Sequence, residues 1–558
     1  MSHTGIKIMQ SLFRGRINNK TKTILAELAD GEGKVQKEAE AQLAKIATSK
    51  SDPFHLGETD WGYPVLLPME LLVNHSLVIG SSGAGKSYLA LLLLNHALSQ
   101  IATNIHVPMG ILDAKGELAA KVIQYIHAHM HGLSAEQQQM IRKRICVIDF
   151  AQTDYVTPYN ILSNEYMSKE MLVNNRIQTI DQIYGGSAGL TTRMKSLLKY
   201  MLLLLIEFQL PISFFDKLCL DNALLQSLAG KSKDSRLRSY FIRRFPKESK
   251  STVYGLAQRI ENLFVSKGVR LSMSASSAPD FQKLQDEGTF IIINVCGADI
   301  SRSTSEFLLR IVLSDIQQSV FRRKNIDQHY LWCLDEAQVL YKDKTSRENM
   351  NDLLTMSRSF GSYFMLLTQS LTSAVRDKDI INSILQNIRW AMVFRSTLRD
   401  AKIIAPAIHC TDNKIASKPF SYGKEKMLTK EQELVQELES ITHFPERKGY
   451  LWLKSDMPYA VKIFTRKLAT PEAMTHVDAK ELRIFARENS LTNGVRKSEI
   501  EKELHNKNEQ LKNVKKHTSS SFASNVKSGI QTEGQHTPHL LEQLKKAYVK
   551  KNKPETEK

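Results

Sequence analysis

The segment Gly80–Ser87 has the residue types and the spacing of a phosphate-binding loop. Its sequence, Gly-Ser-Ser-Gly-Ala-Gly-Lys-Ser, matches the pattern GxxxxGK[ST] in full. The apolar run Leu77–Ile79 precedes the loop and the helical stretch Tyr88–Ala97 follows it, which is the strand–loop–helix context that the pattern requires. In such a loop the backbone N–H groups and the N-terminus of the helix face an anionic phosphate. We therefore predict a nucleotide-binding site.

The positions of the loop have separate expected roles. Gly80, Gly83 and Gly85 allow the backbone to turn tightly around the phosphates. We expect Lys86 to reach the β- and γ-phosphates of the nucleotide and the hydroxyl group of Ser87 to ligate Mg²⁺. ATP and Mg²⁺ are therefore the predicted cofactors.

A pair of acidic residues supplies the second half of a hydrolytic site. The apolar run Tyr330–Leu334 ends in Asp335 and Glu336. At the carboxyl end of a strand, Asp335 is placed to hold Mg²⁺ through water, while Glu336 could orient and deprotonate the attacking water. The same pair alone would be unspecific, but together with the phosphate-binding loop it predicts an ATPase.

Two further side chains are candidates for catalysis. Gln369 follows the apolar run Tyr363–Leu367 and could hydrogen-bond the γ-phosphate or the attacking water, although an ordinary residue at a strand end is the alternative. Arg358, just ahead of that run, could act across a subunit boundary on the γ-phosphate of a neighbour. Arg395 is a weaker candidate for the same role. The predicted catalytic residues are thus Glu336, Gln369 and Arg358.

Short apolar runs predict the strands that position these residues. Each run has four to six residues, is almost continuously apolar and is bounded by turn residues, which is typical of parallel strands buried on both faces. The runs alternate with helical segments, and this favours an α/β sheet with right-handed crossovers. The predicted strands are Ser76–Ile79, Met109–Leu112, Ile145–Phe150, Phe290–Val295, Tyr330–Leu334, Tyr363–Leu367 and Trp390–Phe394.

The remaining segments differ in pattern from this sheet. Pro53–Pro68 is rich in turn residues, and helical periodicity replaces the strand pattern between Leu162 and Phe281. Tyr450–Lys454 and Ala460–Phe464 predict a hairpin. Beyond about residue 485 the chain is polar and is expected to be largely disordered. The predicted units are an N-terminal helical segment (1–52), the first part of an ATPase domain (53–162), an inserted all-helical domain (163–281), the second part of the ATPase domain (282–470) and a largely disordered, basic C-terminal tail (471–558).

The composition restricts the class of protein and its partners. With 76 Lys and Arg against 58 Asp and Glu, the net charge of +18 favours a polyanion such as nucleic acid. No apolar run approaches the roughly 18 residues of a membrane-spanning helix. Five scattered cysteines without a CxxC motif argue against a disulfide framework or a zinc site. We predict a cytoplasmic protein, either free or held at the inner membrane through a partner.

Taken together, the motifs resemble those of the HerA–FtsK-type ring ATPases, and most of all the soluble part of conjugative (type IV secretion) coupling proteins. Asp113-Ala-Lys-Gly-Glu117 is similar to the DPKGE element of coupling proteins. Val147–Phe150 with Tyr159–Leu162, and the segments Ser359–Gly361 and Leu367–Ser370, are similar to further elements in the same order. The resemblance covers roughly residues 55–465.

The resemblance implies a fold, an assembly and a substrate. The fold is a P-loop NTPase of the additional-strand, RecA-like type, with a parallel-rich sheet and an inserted all-helical domain. The assembly is a homo-hexameric ring with nucleotide at its subunit interfaces, and DNA bound without sequence specificity would pass through its centre. Two features depart from the family: this sequence has no transmembrane helices, and 1–75 leaves little room for an N-terminal β-barrel.

Several residues of the helical insertion are candidates for contact with the substrate. They are Arg193 and Lys195 with the glycine-rich segment Gly185–Gly189, and the basic stretch Lys231–Lys250. A glycine-rich turn between helices and a solvated run of charge are the structural alternatives, and the residues alone favour them.

Two functions remain open at this point. The first is a DNA translocase or coupling-type motor that hydrolyses ATP in the transfer of a mobile element or in DNA processing. The second is a nucleotide-controlled ring ATPase that recruits or activates a partner, such as a nuclease in anti-phage defence or a secretion channel. A P-loop kinase or switch is a third and weaker hypothesis. Stimulation of the ATPase by DNA would separate the first two.

Overall fold

The computed structural model describes residues 37–47, 53–101, 107–164, 167–184, 189–341, 344–372, 378–408, 438–457, 460–475 and 494–513, with the single residues 481 and 484. An 11-stranded sheet forms its centre, and a second sheet has two strands. The strands are β1 (Phe54–Thr59), β2 (Pro64–Leu67), β3 (Ser76–Ile79), β4 (Met109–Asp113), β5 (Ile145–Asp149), β6 (Tyr155–Val156), β7 (Phe290–Asn294), β8 (Tyr330–Leu334), β9 (Ser362–Thr368), β10 (Trp390–Phe394), β11 (Lys448–Leu453), β12 (Val461–Thr465) and β13 (Val495–Arg496).

The strand order of the large sheet confirms the predicted fold class. It runs β2-β1-β12-β11-β10-β3-β9-β8-β4-β7-β5, and the block from β10 to β5 is parallel throughout. All seven predicted strands lie in this block, within one or two residues of their predicted bounds. Strand β9 is inserted between β3, which leads into the phosphate-binding loop, and β8, which ends at the acidic pair. This inserted strand is the additional strand of the predicted RecA-like type.

The parallel strands are continuously apolar because both of their faces are covered. Every residue of β3, β4, β8 and β10 is buried. Successive side chains alternate between two apolar clusters: Leu77 and Ile79 belong to one cluster, and Val78 between them belongs to the other. Successive side chains of a strand point to opposite faces of the sheet. A strand that lies between two helical layers therefore needs an apolar residue at every position.

Four antiparallel strands extend the sheet beyond β10. The predicted hairpin is confirmed, because β11 and β12 pair with Leu451 opposite Val461. The segment predicted only as turn-rich forms β1 and β2, which pair with each other, and β1 also pairs with β12. Its period-two pattern is interrupted by a register shift between His55 and Gly57. An added Cβ atom at Gly57 would lie 1.9 Å from the carbonyl oxygen of Phe464, so this strand pairing requires glycine.

Helices cover both faces of the sheet and form the insertion. The helices are α1 (37–47), α2 (Met69–Leu72), α3 (Lys86–Ser99), α4 (Glu117–Met130), α5 (Ala135–Lys143), α6 (Lys169–Ile183), α7 (Thr192–Glu207), α8 (Phe215–Leu220), α9 (Asn222–Lys231), α10 (Ser235–Ser239), α11 (Lys250–Asn262), α12 (Lys267–Ser274), α13 (Phe281–Asp286), α14 (Arg302–Val320), α15 (Lys344–Met356), α16 (Lys378–Asn387), α17 (Leu398–Ile408), α18 (438–443), α19 (Pro471–Thr475) and α20 (497–513). A π-helical turn spans Tyr240–Arg244, and short 3₁₀ helices span Ile212–Phe214, Phe245–Lys247, Ala337–Tyr341 and Ser357–Phe360.

The inserted segment is helical, as predicted. Between 163 and 281 all regular structure of the described residues is helical, from α6 to the start of α13. Its centre is α7, whose side chains Leu197, Met201 and Leu205 are fully buried. Helix α6 packs against α14, which joins the insertion to the sheet domain. The domain bounds themselves remain predictions.

The C-terminal tail departs in part from its prediction. Strand β13 pairs with β6, with Val495 opposite Val156, and α20 follows it directly. Ile500 is buried against Leu271 of α12, because apolar residues at helical spacing give α20 a face that the polar composition conceals. The expectation of disorder therefore does not hold for 494–513, and 514–558 lie outside the described residues.

The predicted N-terminal helical segment is described only in α1. Ala39 and Leu43, one helical turn apart, are buried in the apolar cluster beneath β1 and β2. The other residues of 1–52 lie outside the described part. Among the described residues no single helix is both long and apolar enough to cross a membrane.

Candidate nucleotide site

The candidate site lies at the carboxyl edge of the parallel strands. Because these strands run in one direction, the residues that follow each of them meet along one edge of the sheet, where ligands of open α/β sheets bind. The polar residues that reach this edge come from six neighbouring strands in their spatial order: Gly80 after β3, Gln369 after β9, Asp335 after β8, Asp113 at the end of β4, Asn294 at the end of β7 and Asp149 at the end of β5.

The phosphate-binding loop adopts the backbone shape that its glycines predict. Gly83 and Gly85 have φ angles of 72° and 117°, in the region that residues with a side chain rarely adopt. Gly85 is the N-cap of α3, whose first residue is Lys86. The N–H groups of Gly80, Ser81 and Ala84 donate to backbone carbonyl oxygens, so the donors offered to a ligand are those at the start of α3, including that of Ser87. This arrangement is suited to an anionic phosphate group.

Lys86 is held inside the loop. Its Nζ atom donates hydrogen bonds to the carbonyl oxygens of Gly80, at 2.7 Å, and of Ser81, at 3.1 Å. The residue is buried, and this burial lowers the pKa of the ammonium group, opposed by the nearby carboxylate of Glu336. A buried cation beside an anion site gains most from a charged phosphate, because little water competes with it.

Asp335 is buried, as are its neighbours Asp113 and Glu336. It is 5% exposed, and burial, with the charges of Asp113 and Glu336 behind it, raises its pKa to about 7. A carboxylate crowded in this way is a favourable ligand for a divalent cation, whose charge stabilises the ionised form.

The side chains that would hold Mg²⁺ are Ser87 and Asp335. Among the described residues no group of three or more His, Cys, Asp or Glu forms a metal site. One carboxylate and one hydroxyl group fit Mg²⁺, which is usually held by one or two protein oxygens together with substrate phosphates and water. The chemistry of the two side chains is therefore consistent with the predicted role.

Glu336 is the centre of a network of hydrogen bonds. Its Oε1 atom accepts a hydrogen bond of 2.7 Å from Nε2 of Gln369 and forms an ion pair with Lys115, while Oε2 accepts from Gln338. Burial disfavours the ionised carboxylate, but the hydrogen bond from Lys115 and the others outweigh it and lower the pKa of Glu336. Glu336 also has a φ angle of 55°, a value that residues with a side chain rarely adopt and that is often found at functional sites.

The structure thus brings eight of the nine predicted site residues to one region. The three loop glycines and Lys86 contact each other through the loop, and Glu336 contacts Gln369, as their placement on adjacent strands predicts. Ser87 follows Lys86 in the first turn of α3, and Asp335 precedes Glu336. The sequence analysis did not assign roles to Lys115 and Gln338. The contact of Lys115 with Glu336 depends on the pairing of β4 with β8, which no local pattern gives, although Lys115 lies in the segment that resembles the DPKGE element. Gln338 lies only two residues from Glu336.

Arg358 lies away from this site. It is exposed in the turn before β9, near the buried His75, which precedes β3. The length of β9 separates this amino edge of the sheet from Gln369 by roughly 20 Å at 3.3 Å per residue. Arg358 therefore does not contribute to the site of its own chain, and its action on a neighbouring subunit remains a prediction.

Arg395 reaches the phosphate-binding loop within the same chain. Its carbonyl oxygen accepts a hydrogen bond of 2.6 Å from the N–H group of Ser81, and its Nε lies 3.4 Å from Oγ of that serine. These contacts join Arg395 to the phosphate-binding loop of its own subunit. The predicted role is a different one, contact with the γ-phosphate of a neighbouring subunit.

The candidate residues for substrate contact are described only in part. Gly185–Gly189 lies outside the described residues except for its last glycine, and Arg193 is exposed. Lys195 pairs with Asp181 at 2.6 Å. The basic stretch Lys231–Lys250 spans α10 and the π-helical turn, and Arg243, Arg244 and Lys247 are exposed there.

Residues 54–314 match the family model described as the helicase HerA central domain. This match confirms the resemblance to HerA–FtsK-type P-loop ATPases. It includes the phosphate-binding loop and the helical insertion and ends before the acidic pair after β8. No curated protein sequence is significantly similar to this chain.

Several solved structures are similar to this chain at low identity. The bacterial conjugative coupling protein TrwBdeltaN70, in its unbound form, has 16% identity and a TM-score of 0.48 over 77% of this chain and 93% of its own. The plasmid coupling protein TrwB in complex with ADP and Mg²⁺ has 14% identity and a TM-score of 0.45 over 78% and 94%. VirB4 of Thermoanaerobacter pseudethanolicus has 13% identity and a TM-score of 0.45 over 76% and 99%.

Proposed function

We propose that the protein is an ATP-hydrolysing motor that moves DNA. One observation carries the ATPase part of this proposal: Glu336, after β8, is joined by Gln369, after the additional strand β9, next to the loop that holds Lys86. A P-loop binder without catalysis needs neither a carboxylate held ionised nor a neutral donor beside it. The HerA match over 54–314 supports the same class of domain.

The geometry supports a simple division of roles. The N–H groups at the start of α3 and the ammonium group of Lys86 bind the phosphates, and Ser87 and Asp335 would hold Mg²⁺, which would neutralise charge on the β- and γ-phosphates. Glu336 orients a water molecule against the γ-phosphorus and accepts its proton, while Gln369 fixes the carboxylate that does so. The chain therefore carries a base and phosphate ligands in one subunit, and Arg358 of a neighbouring subunit would complete the site.

DNA as the substrate rests on charge and on the helical insertion. The net charge is +18, and the stretch Lys231–Lys250 alone has eight basic and two acidic residues. Arg243, Arg244 and Lys247 are exposed, so they are available for contacts with phosphates that do not depend on sequence. We propose a homo-hexameric ring for this motor and the transfer of mobile DNA or DNA processing as its setting.

The first test is the steady-state ATPase rate of the full chain with single-stranded DNA, with double-stranded DNA and with neither. We expect a several-fold stimulation by one form of DNA. Glu336→Gln removes the base and should lower kcat at least about 100-fold with little change in nucleotide binding. Lys86→Ala should weaken nucleotide binding itself. Lys121→Ala, an exposed lysine on α4, is the control and should behave as the wild type.

The outcomes separate the motor from its alternative. Hydrolysis that is equally fast with and without DNA would contradict the motor and favour a ring ATPase that activates a protein partner, such as a nuclease or a secretion channel. Activity that persists in Glu336→Gln would contradict the proposed site.

A further inference from the structure

Lys115 occupies a turn that leads from β4 to α4 and lies beside the acidic pair. Strand β4 is the direct neighbour of β8, with Leu112 opposite Leu334, so the residues that follow the two strands are adjacent. The side chain of Lys115 crosses this short distance and forms an ion pair with Oε1 of Glu336. The carboxylate side chain is 9% exposed, whereas that of Lys115 is 44% exposed.

The backbone of this turn is firmly built. The N–H group of Lys115 donates a hydrogen bond of 2.8 Å to Oδ1 of Asp113, and Oδ2 of Asp113 accepts one of 2.8 Å from Ala119 in α4. Gly116 has a φ angle of 81°, and an added Cβ atom there would lie 3.1 Å from Oδ1 of Asn294. The carboxylate of Asp113 thus stabilises the turn, and the turn places the side chain of Lys115 next to the residues that follow β8.

The charges around Glu336 require a second cation. The carboxylates of Asp113, Asp335 and Glu336 lie close together: burial raises the pKa of Asp335, and the charges of Asp113 and Glu336 raise it further. Lys86 is directed to the loop carbonyl oxygens, so its ammonium group does not contact Glu336. Gln338 and Gln369 donate to Glu336 but are neutral. Lys115 is therefore the cation in direct contact with this carboxylate among the described residues, and hydrogen bonds to a charged donor are the stronger ones.

We propose that Lys115 is a positioning residue for Glu336: its ammonium group fixes the carboxylate, beside Gln369, in the place from which it acts on the attacking water. This inference deepens the proposed ATPase function and depends on it for its kinetic test. Lys115 acts through Glu336 and does not contribute to the affinity of the site for the nucleotide. Loss of its side chain should slow the chemical step and leave the binding of ATP almost unchanged.

The test is the ATPase kinetics of Lys115→Ala, Lys115→Arg, Glu336→Gln and the double variant Lys115→Ala/Glu336→Gln. We expect kcat to fall 10- to 100-fold in Lys115→Ala, as for other side chains that orient a catalytic group, with less than a 3-fold change in KM. Lys115→Arg keeps the charge and should recover most of the rate. The double variant should be no slower than Glu336→Gln, because a residue that acts through Glu336 has nothing to position without it. Lys121→Ala is the matched control on α4.

The opposite results would overturn the proposal. If Lys115→Ala raises KM more than it lowers kcat, or if its effect adds to that of Glu336→Gln, the lysine serves the nucleotide directly. If kcat is unchanged, the ion pair has no role in catalysis.

A measurement that needs no hydrolysis separates this proposal from the proposed function. The thermal midpoints of the wild type, Lys115→Ala, Glu336→Gln and the double variant, without nucleotide, should be non-additive, since Lys115→Ala has less effect once the carboxylate is replaced by an amide. Additive midpoints would show that the ion pair is absent in solution and would overturn the inference. A wild-type protein without ATPase activity but with non-additive midpoints would instead contradict the proposed function and leave the positioning contact in place.

Discussion

At the scale of single residues, the site shows what type and spacing determine and what they leave open. The roles proposed for Lys86 and Glu336 are predicted from local sequence, because the loop lies directly between a strand and a helix and the acidic pair directly follows an apolar strand. The contact of Lys115 with Glu336 does not follow, since 221 positions separate the two residues and only the order of the strands brings them together. The sequence around Arg358 made it a candidate for catalysis. However, Arg358 precedes β9, so it lies at the opposite edge of the sheet from Gln369.

A buried histidine makes the stability of the protein depend on pH. His75 accepts a hydrogen bond of 3.0 Å at Nδ1 from the N–H group of Phe364, and burial, with the charge of Arg358, lowers its pKa to about 3. Below pH 6.5 the unfolded chain binds a proton that the folded chain excludes, so the free energy of unfolding falls as the pH falls. The loss should reach about 2 kcal/mol at pH 5 and continue towards pH 3.

Denaturant unfolding between pH 7.5 and 5 measures this dependence. His75→Asn keeps an acceptor for Phe364 and removes the imidazole, so its free energy of unfolding should fall less steeply with acid than that of the wild type. His131→Asn, at an exposed position, controls for the loss of an imidazole group. Identical slopes for wild type and His75→Asn would contradict the assignment.

At the scale of elements, the strands that could be predicted are those with their own apolar signal. The seven parallel strands are buried on both faces, so each one is visible in its own residues. Strands β1, β2, β6 and β13 are short or interrupted, and apart from the local pair of β1 with β2 their partners lie far along the chain, as Phe464 does from Glu58. Such strands are stabilised by pairing, which a single segment does not reveal. The same holds for α20, whose face is defined by its contact with α12.

The pairing of β1 with β12 gives a test with an internal control. Gly57→Ala would place a methyl group 1.9 Å from the carbonyl oxygen of Phe464, so the two strands must separate. We expect it to lower the free energy of unfolding by about 1–3 kcal/mol. Gly230→Ala, in α9, meets no atom within 4 Å and should be neutral or stabilising by up to about 1 kcal/mol. Equal effects of the two changes in thermal unfolding would argue against this strand pairing.

At the scale of the whole molecule, charge and architecture point to the same use. The candidate nucleotide site lies at one edge of the sheet, and the helical insertion, which shares an apolar core with the sheet, presents exposed basic side chains. A motor requires both parts, since the site supplies the free energy and the basic surface holds the polyanion. We therefore expect the excess of positive charge to raise the affinity for DNA, and the exposed basic residues of the helical insertion to contribute most.

Binding of DNA should decrease with salt in proportion to the phosphates contacted. If the insertion makes these contacts, the triple variant Arg243→Ala/Arg244→Ala/Lys247→Ala should lower the slope of log K against log salt by up to about 3 for double-stranded DNA, because each lost contact accounts for about 0.9. A control with the same loss of charge replaces the exposed lysines Lys121, Lys143 and Lys402 with alanine. Fluorescence anisotropy with a labelled oligonucleotide between 50 and about 200 mM salt measures both slopes.

The insertion is the DNA-binding surface if only the first variant changes the slope, since the loss of net charge is the same in both. Equal changes would assign the affinity to the overall charge of the molecule, and a wild-type slope near zero would contradict binding to DNA phosphates.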